Sequence, residues 1–312
     1  MTASAITHAA ATPDRVPLAI GLRLLSVALF ALMNVGIKLA EAGGTALPEI
    51  MFWRQFGATL LVGGIVVTGP GVRSLATRRF GAHVARAVLG LTAMALTFGT
   101  LTMLPLAEAT TLGFSMPIFA TILGAVILHE PTGWRRWAAV FAGFVGVLIV
   151  AQPGGGGGFP LLGVLTGLSA AAGTAFVSIL LRTIGRTEAP LTTVFWFSFL
   201  SLVPLGAAYP FAFRPHPPLV WAILLGLGII GGAAQIAMTR SLTLGPVSTV
   251  VPMDYTALLW ATALGWLVFD RLPAASTWAG APVIVASGLY IVWREHVRRR
   301  EETRQAVAQG IA

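Results

Sequence analysis

One carboxylate stands alone in a long apolar stretch of the C-terminal half. Asp254 is the only acidic residue between Val247 and Phe269, and Pro252 lies two positions before it. A carboxylate costs on the order of 3 kcal/mol at the centre of a bilayer unless it faces protein or water, and such acids usually serve function. We therefore expect Asp254 to face a polar cavity, where it binds an ammonium group or exchanges a proton. The alternative is that it only satisfies a neighbouring arginine or backbone groups freed by Pro252.

A basic residue at a comparable depth is the predicted partner of Asp254. Arg54 lies in the apolar segment EIMFWRQFGATLL, and the fork of a guanidinium suits a carboxylate. Arg54 and Asp254 together could hold the two ends of a zwitterion, or Arg54 could form a structural ion pair at its helix end. Lys38 and Glu41 are spaced i, i+3, which predicts an ion pair that stabilises a helix end, with a lesser prospect of an outer gate.

Other polar and aromatic residues lie deep within apolar segments, where they either line a pocket or contribute hydrogen bonds and packing between helices. Two amides, costly to bury, and four aromatic residues deeper than an interfacial belt are the predicted pocket residues: Asn34, Gln235, Trp53, Trp196, Tyr255 and Trp260. A stripe of small residues, Gly163, Gly167, Ala171 and Ala175, predicts a close helix contact. Glu108 is interpreted as an acid in the first turn of its own helix, and Glu130 and Asp270 as residues that fix loops.

The composition places these residues in a membrane protein. Of the 312 residues, 56% are hydrophobic and 10% are charged, with a mean hydropathy of +0.84, whereas a soluble domain carries about 25% charged residues. The chain has no cysteine, which excludes disulfides and thiolate metal sites. We expect no cofactor and no metal, because all five histidines lie in predicted loops or tails, namely His8, His83, His129, His216 and His296.

Apolar runs and their punctuation predict ten membrane spans. These lie near 18–40, 48–68, 83–103, 106–128, 135–151, 160–182, 190–209, 219–240, 245–268 and 277–294. With the N-terminus inside, sixteen of the twenty basic residues, Arg23 and Arg86 among them, fall on the cytoplasmic side. The distribution of positive charge therefore predicts two cytoplasmic termini. It also explains the net charge of +9 without a nucleic-acid partner.

The glycine-rich run AQPGGGGGFP at 151–160 divides the chain into two halves of five spans. The predicted organisation is a tail (1–17), a first repeat (18–153), a linker (154–159), a second repeat (160–294) and a tail (295–312). The fourth span of each half contains an interior proline, Pro117 or Pro252. Because five is odd, the second half must cross the membrane inverted relative to the first, an arrangement that places binding sites near the midplane of carriers.

The residues also resemble a known family. The segment LPLAEATTLGFSMPIFATILGAVILHEP, followed by W..A...GF.GVLIVAQP, is similar to the EamA domain of the drug/metabolite transporter superfamily. The segment GPVSTVVPMDYTALLWATALGWLVFDRLP is similar to its second copy. The resemblance implies an all-α membrane protein of ten helices in two inverted EamA repeats, with no ATPase subunit. Members of the superfamily include amino acid exporters of the YddG type and carriers of S-adenosylmethionine, riboflavin, nucleotide sugars and drugs.

The preferred hypothesis is a secondary active transporter that exports amino acids across a bacterial inner membrane by alternating access. Its expected partners are a small-molecule substrate and the lipid bilayer. The alternative is a carrier of a larger metabolite such as S-adenosylmethionine, riboflavin or a drug. A membrane-embedded enzyme or a channel is a more distant alternative, and the enzyme would need a nucleophile with its base or clustered metal ligands.

Overall fold

The computed structural model describes residues 16–127, 133–152, 159–185, 187–244 and 250–308. Within these ranges the regular structure is entirely helical, which confirms the predicted all-α class, and nine helices are long and apolar enough to cross a membrane. The protein is thus a multi-pass membrane protein. Glu130 and the glycines of the predicted linker lie outside the described residues.

The described residues form eleven α-helices. They are α1 (Val16–Ala42), α2 (Leu47–Thr68), α3 (Phe80–Met103), α4 (Leu106–Gly113), α5 (Met116–Ile127), α6 (Trp134–Ala151), α7 (Leu161–Ile184), α8 (Pro190–Ala212), α9 (Pro218–Leu244), α10 (Ala257–Phe269) and α11 (Ala275–Ala308). A helix of 22 residues such as α2 is about 33 Å long, which matches the apolar thickness of a bilayer. The last helix continues beyond residue 294, so the predicted C-terminal tail begins as helix.

The fourth predicted span is interrupted in its middle. Helix α4 ends at Gly113 and α5 begins at Met116, while the amides of Phe114 and Ser115 donate to carbonyls three residues back. Pro117 accounts for the break, because it has no N–H and its ring displaces the carbonyl four residues before it, that of Gly113. The two pieces together form one candidate membrane span, Leu106–Ile127.

The ninth predicted span is also irregular. Its first residues, 245–249, lie outside the described part of the chain. A 3₁₀ helix follows at Val251–Thr256, with Pro252 at its start, and α10 then adds only 13 residues. This segment is therefore not among the nine spans, and the count of ten remains a prediction.

The helices pack against one another across apolar and small residues. The most extensive packing joins α1 to α9, α11 to α6, α3 to α7, and α2 to both α8 and α9. Helices α2 and α9 are in close backbone contact where two glycines face each other, since a Cβ on Gly57 would lie 2.6 Å from the Cα of Gly228. The predicted small-residue stripe on α7 is such a contact, because a Cβ on Gly163 or Gly167 would lie 2.9 Å from Leu104 or Leu112.

Large apolar side chains cover the outside of the bundle. Phe211 is 92% exposed, and Phe141, Leu219 and Leu259 each exceed 70%. An apolar surface of this kind is stable against lipid rather than water.

Candidate functional site

Asp254 forms a two-pronged ion pair with Arg23 of α1. The Arg23 Nε and Nη2 groups donate to the two carboxylate oxygens of Asp254, each at 2.5 Å. The Arg23 side chain is 9% exposed and that of Asp254 is 37% exposed. Arg23, and not the predicted partner Arg54, is the residue bonded to Asp254 in this structure.

Arg23 is a functional candidate that sequence reasoning missed. It lies about 10 Å from the start of α1 at the helical rise, inside an apolar run, yet it was assigned to the cytoplasmic charges because it lies near the predicted start of the span. Arg86 was assigned in the same way and is also buried, at 6% exposure within α3. The available signal was an arginine several residues inside a hydrophobic segment, which requires a polar partner.

The two interrupted segments meet beside this ion pair. The ring of Phe114, in the break between α4 and α5, lies 5.0 Å from the ring of Tyr255. Both side chains are partly buried. A Cβ on Gly288 of α11 would meet Pro117 at 3.6 Å and overlap the Tyr255 hydroxyl. The breaks of the two halves thus converge on one glycine of the last helix.

Arg54 lies in a second polar group, between α2 and α9. Its Nη1 donates to the side-chain oxygen of Gln55, and its Nη2 lies 3.5 Å from Oε1 of Gln235. Arg54 and Gln55 are both buried, at 5% and 0% exposure. Arg54 and Gln235 are therefore neighbours, as expected if both belong to one polar site, but the structure does not join them to Asp254 through a hydrogen bond.

The remaining predicted pocket residues have different surroundings. Trp53 packs edge-on against Trp221 at a centroid distance of 5.5 Å. Trp196 donates from Nε1 to the carbonyl of Leu75 at 2.9 Å, which ties α8 to the connection after α2. Trp260 is 42% exposed. Asn34 is partly buried, and its side chain has no hydrogen-bond partner among the residues described.

Lys38 contacts a helix end rather than Glu41. Its ammonium group donates to the carbonyls of Leu101 and Leu104, at 2.5 and 2.8 Å. These carbonyls belong to the C-terminal end of α3, where a cation is favourable. Glu41 is exposed. The predicted ion pair is thus replaced by a link between α1 and α3.

Glu108 caps a different helix from the one that carries it. Its Oε1 accepts hydrogen bonds from the Ala274 amide at 2.9 Å and from the Thr277 hydroxyl at 3.0 Å. The carboxylate, 1% exposed, therefore stabilises the N-terminus of α11. Asp270 ends α10 in a left-handed conformation, with φ 51°.

Two carboxylate–imidazole pairs lie at opposite ends of the bundle. Glu49, at the start of α2, contacts His216, just before α9, at 3.0 Å. His83, at the start of α3, lies 3.6 Å from Glu188, just before α8. All four side chains are at most 9% exposed. The sequence predicted both histidines in loops or tails, and the structure instead places His83 in the first turn of α3, while His216 lies in the connection before α9.

The arrangement defines a class of protein. A bundle of membrane-crossing helices, two of its segments interrupted where they face one another, with buried charges beside the breaks, is the architecture of a membrane carrier. The sequence profile of the EamA-like transporter family matches residues 17–152 and 161–293. The chain belongs to this family, and it is a transporter rather than an enzyme.

Proteins of known role are similar over most of their length. The chain is 32% identical to a riboflavin transporter of Vibrio cholerae, over 74% of this chain and 78% of the relative. It is 28% identical to an S-adenosylmethionine uptake transporter of Rickettsia prowazekii, over 79% and 83%. It is 25% identical to a pseudopaline exporter of Pseudomonas aeruginosa, over 85% and 93%.

Proposed function

We propose that the protein is a secondary carrier that moves an amphipathic heteroaromatic metabolite, with riboflavin the first compound to test, across a bacterial inner membrane by alternating access. The similarity to the riboflavin transporter of Vibrio cholerae carries the choice of cargo. The partly buried rings of Phe114 and Tyr255, where the two breaks meet, support it, because a planar heteroaromatic ring stacks well on such side chains.

The packing of the helices supports alternating access between two inverted repeats, 18–153 and 160–294. The pairing of α1 with α9 has a counterpart in the pairing of α7 with α3, as an inverted exchange of the two halves requires. The interrupted segments are the fourth of each half, which is where discontinuous helices surround the substrate in carriers of this design. Both termini are proposed to be cytoplasmic.

Amino acid export, the hypothesis preferred from sequence, has less support. It depended on Arg54 and Asp254 holding a zwitterion between them, whereas Asp254 is bonded to Arg23. None of the three relatives described is named as an amino acid carrier. We therefore place the larger metabolite first.

S-adenosylmethionine is the second candidate. The similarity to the Rickettsia prowazekii carrier favours it, and the partly exposed Asp254 carboxylate offers a negative charge to its sulfonium. Riboflavin is uncharged, so only S-adenosylmethionine would engage Asp254 through charge.

Fluorescent flavin flux in proteoliposomes tests the proposal. Vesicles that contain the purified protein are expected to take up riboflavin with saturation and to exchange it in counterflow, whereas protein-free vesicles do neither. Excess unlabelled S-adenosylmethionine or phenylalanine, added in parallel, identifies a preferred competitor. Absence of saturable flavin flux together with saturable flux of S-adenosylmethionine or phenylalanine would refute the riboflavin assignment.

A further inference from the structure

Two arginines lie buried in the bundle without a carboxylate among the described residues. Arg54 of α2 is 5% exposed and Arg86 of α3 is 6% exposed. Arg23, by contrast, is paired with the carboxylate of Asp254. A buried guanidinium that lacks a counter-charge is strongly unfavourable in a low-dielectric interior, so this pair calls for an anion.

Arg86 has fewer hydrogen-bond partners than Arg54 among the described residues. Its guanidinium lies over the ring of Phe197, 4.1 Å from the centroid. Its Nε and Nη1 atoms are buried and make no hydrogen bond with any described residue. The ring face attracts the cation but accepts no N–H in the geometry of an oxygen ligand, which leaves several donors for another group.

Arg54 is held by amides instead of an acid. Gln55 and Gln235 accept from its terminal nitrogens, while its Nε is buried and unbonded. Neutral amides orient a guanidinium without cancelling its charge. Arg54 and Arg86 lie on two helices in contact with each other, α2 and α3, so one anion bound between the two side chains would relieve both.

Glycines leave room for both side chains. A Cβ on Gly90 would overlap the Arg86 guanidinium and lie 2.7 Å from the Phe197 ring. A Cβ on Gly231 would lie 3.3 Å from the Arg54 Nε. The backbone is thus shaped around both cations.

We propose that Arg54 and Arg86 bind an anionic group, a carboxylate or a phosphate, of the transported compound. This inference rests on the proposed carrier function and favours an anionic cargo, such as a phosphorylated flavin, over riboflavin itself, which is uncharged. Guanidinium groups form strong charge-assisted bonds with such oxyanions. The site is separate from the Arg23–Asp254 pair, whose charges satisfy each other.

Riboflavin and its 5′-phosphate, FMN, form a matched pair of probes that differ by one phosphate group. With the full-length protein in nanodiscs, quenching of flavin fluorescence gives the Kd of each compound. We expect FMN to bind at least about tenfold more tightly than riboflavin, and the preference to weaken as salt is raised. Equal affinities, with the same response to salt, would overturn the proposal without any substitution.

Substitution then locates the anion site. Arg86→Met is expected to weaken FMN binding about tenfold or more and to leave riboflavin binding within about threefold, while Arg86→Lys retains part of the preference. Arg135→Met is the matched control, since Arg135 is exposed and loses the same charge. An FMN preference that survives Arg86→Met, or that falls equally in the control, would contradict the assignment.

Inorganic phosphate tests whether the site binds a phosphate group of the transported compound or only a free anion. Phosphate is expected to compete with FMN and to raise the midpoint of thermal unfolding relative to chloride at equal ionic strength, in wild type but not in Arg86→Met. The absence of both effects would overturn the site. Phosphate binding with no FMN flux in proteoliposomes would refute the assignment to cargo. A retained FMN preference with no flux of any flavin would leave the anion site standing and remove the proposed flavin transport.

Discussion

The ion pair between Arg23 and Asp254 yields a quantitative prediction. At a charge separation of about 4 Å and an effective dielectric constant of about 20, two unit charges attract by about 4 kcal/mol. The Asp254 side chain is 37% exposed, so solvent screening reduces this value. We expect a coupling free energy of about 2 kcal/mol between the two side chains.

A double-mutant cycle measures this coupling. Arg23→Gln and Asp254→Asn are each expected to lower the free energy of unfolding by about 3 kcal/mol, because each leaves a poorly compensated charge in the bundle. The double variant removes both charges and is expected to lose about 2 kcal/mol less than the two single losses predict. Equilibrium unfolding in mixed micelles of lipid and SDS provides the four free energies.

The control cycle uses a different aspartate, Asp270, in place of Asp254. Asp270→Asn combined with Arg23→Gln is expected to be additive, because Asp270 is exposed at the end of α10 and asparagine tolerates its left-handed backbone. A coupling below about 0.5 kcal/mol in the Arg23–Asp254 cycle, within the usual additivity of distant sites, would show that the pair contributes no stability and would refute the reasoning.

Cysteines placed at Gly156 and Thr303, in this cysteine-free chain, are expected to react with an impermeant thiol reagent from opposite sides of the membrane; labelling from one side would contradict the predicted topology. Gly167→Leu is expected to impair folding strongly, because a Cβ there already lies 2.9 Å from a neighbouring side chain, whereas the exposed Leu165→Ala is expected to cost little. Equal yields of both variants in size-exclusion chromatography would show that the small-residue stripe is not a close helix contact. Glu108→Gln is expected to lower the unfolding free energy by about 1 kcal/mol, because it removes the charge that caps α11; an unchanged value in the same micelle assay would exclude a stabilising cap.

The sequence predicted the helical class and several features of the site, because those depend on local pattern. Apolar runs identified most helices, and Pro252 predicted the interruption beside Asp254, whereas Pro117 was recognised only as an interior proline of the fourth span. Asp254 was expected to face a polar cavity because of its burial cost, with a neighbouring arginine as the alternative, and the structure shows such an arginine, Arg23.

The partners of the charged residues could not be predicted in the same way. Arg54 was chosen for Asp254 by its depth along the helix axis, but depth says nothing about which helices are neighbours or which way a side chain points around its own axis. Arg23 and Asp254 are 231 positions apart, and Glu108 caps a helix 166 positions away. Such pairs depend on helix packing, which single-sequence periodicity does not encode.

The two carboxylate–imidazole pairs have a consequence for the direction of transport. Glu49 with His216, and Glu188 with His83, place the same two side-chain types at either end of the bundle, both withdrawn from solvent. Because the same pair of side-chain types lies at both ends, these contacts by themselves favour neither direction of transport. The direction of transport then depends on the gradient of the substrate or of a coupled ion, and the same scaffold is compatible with import and with export.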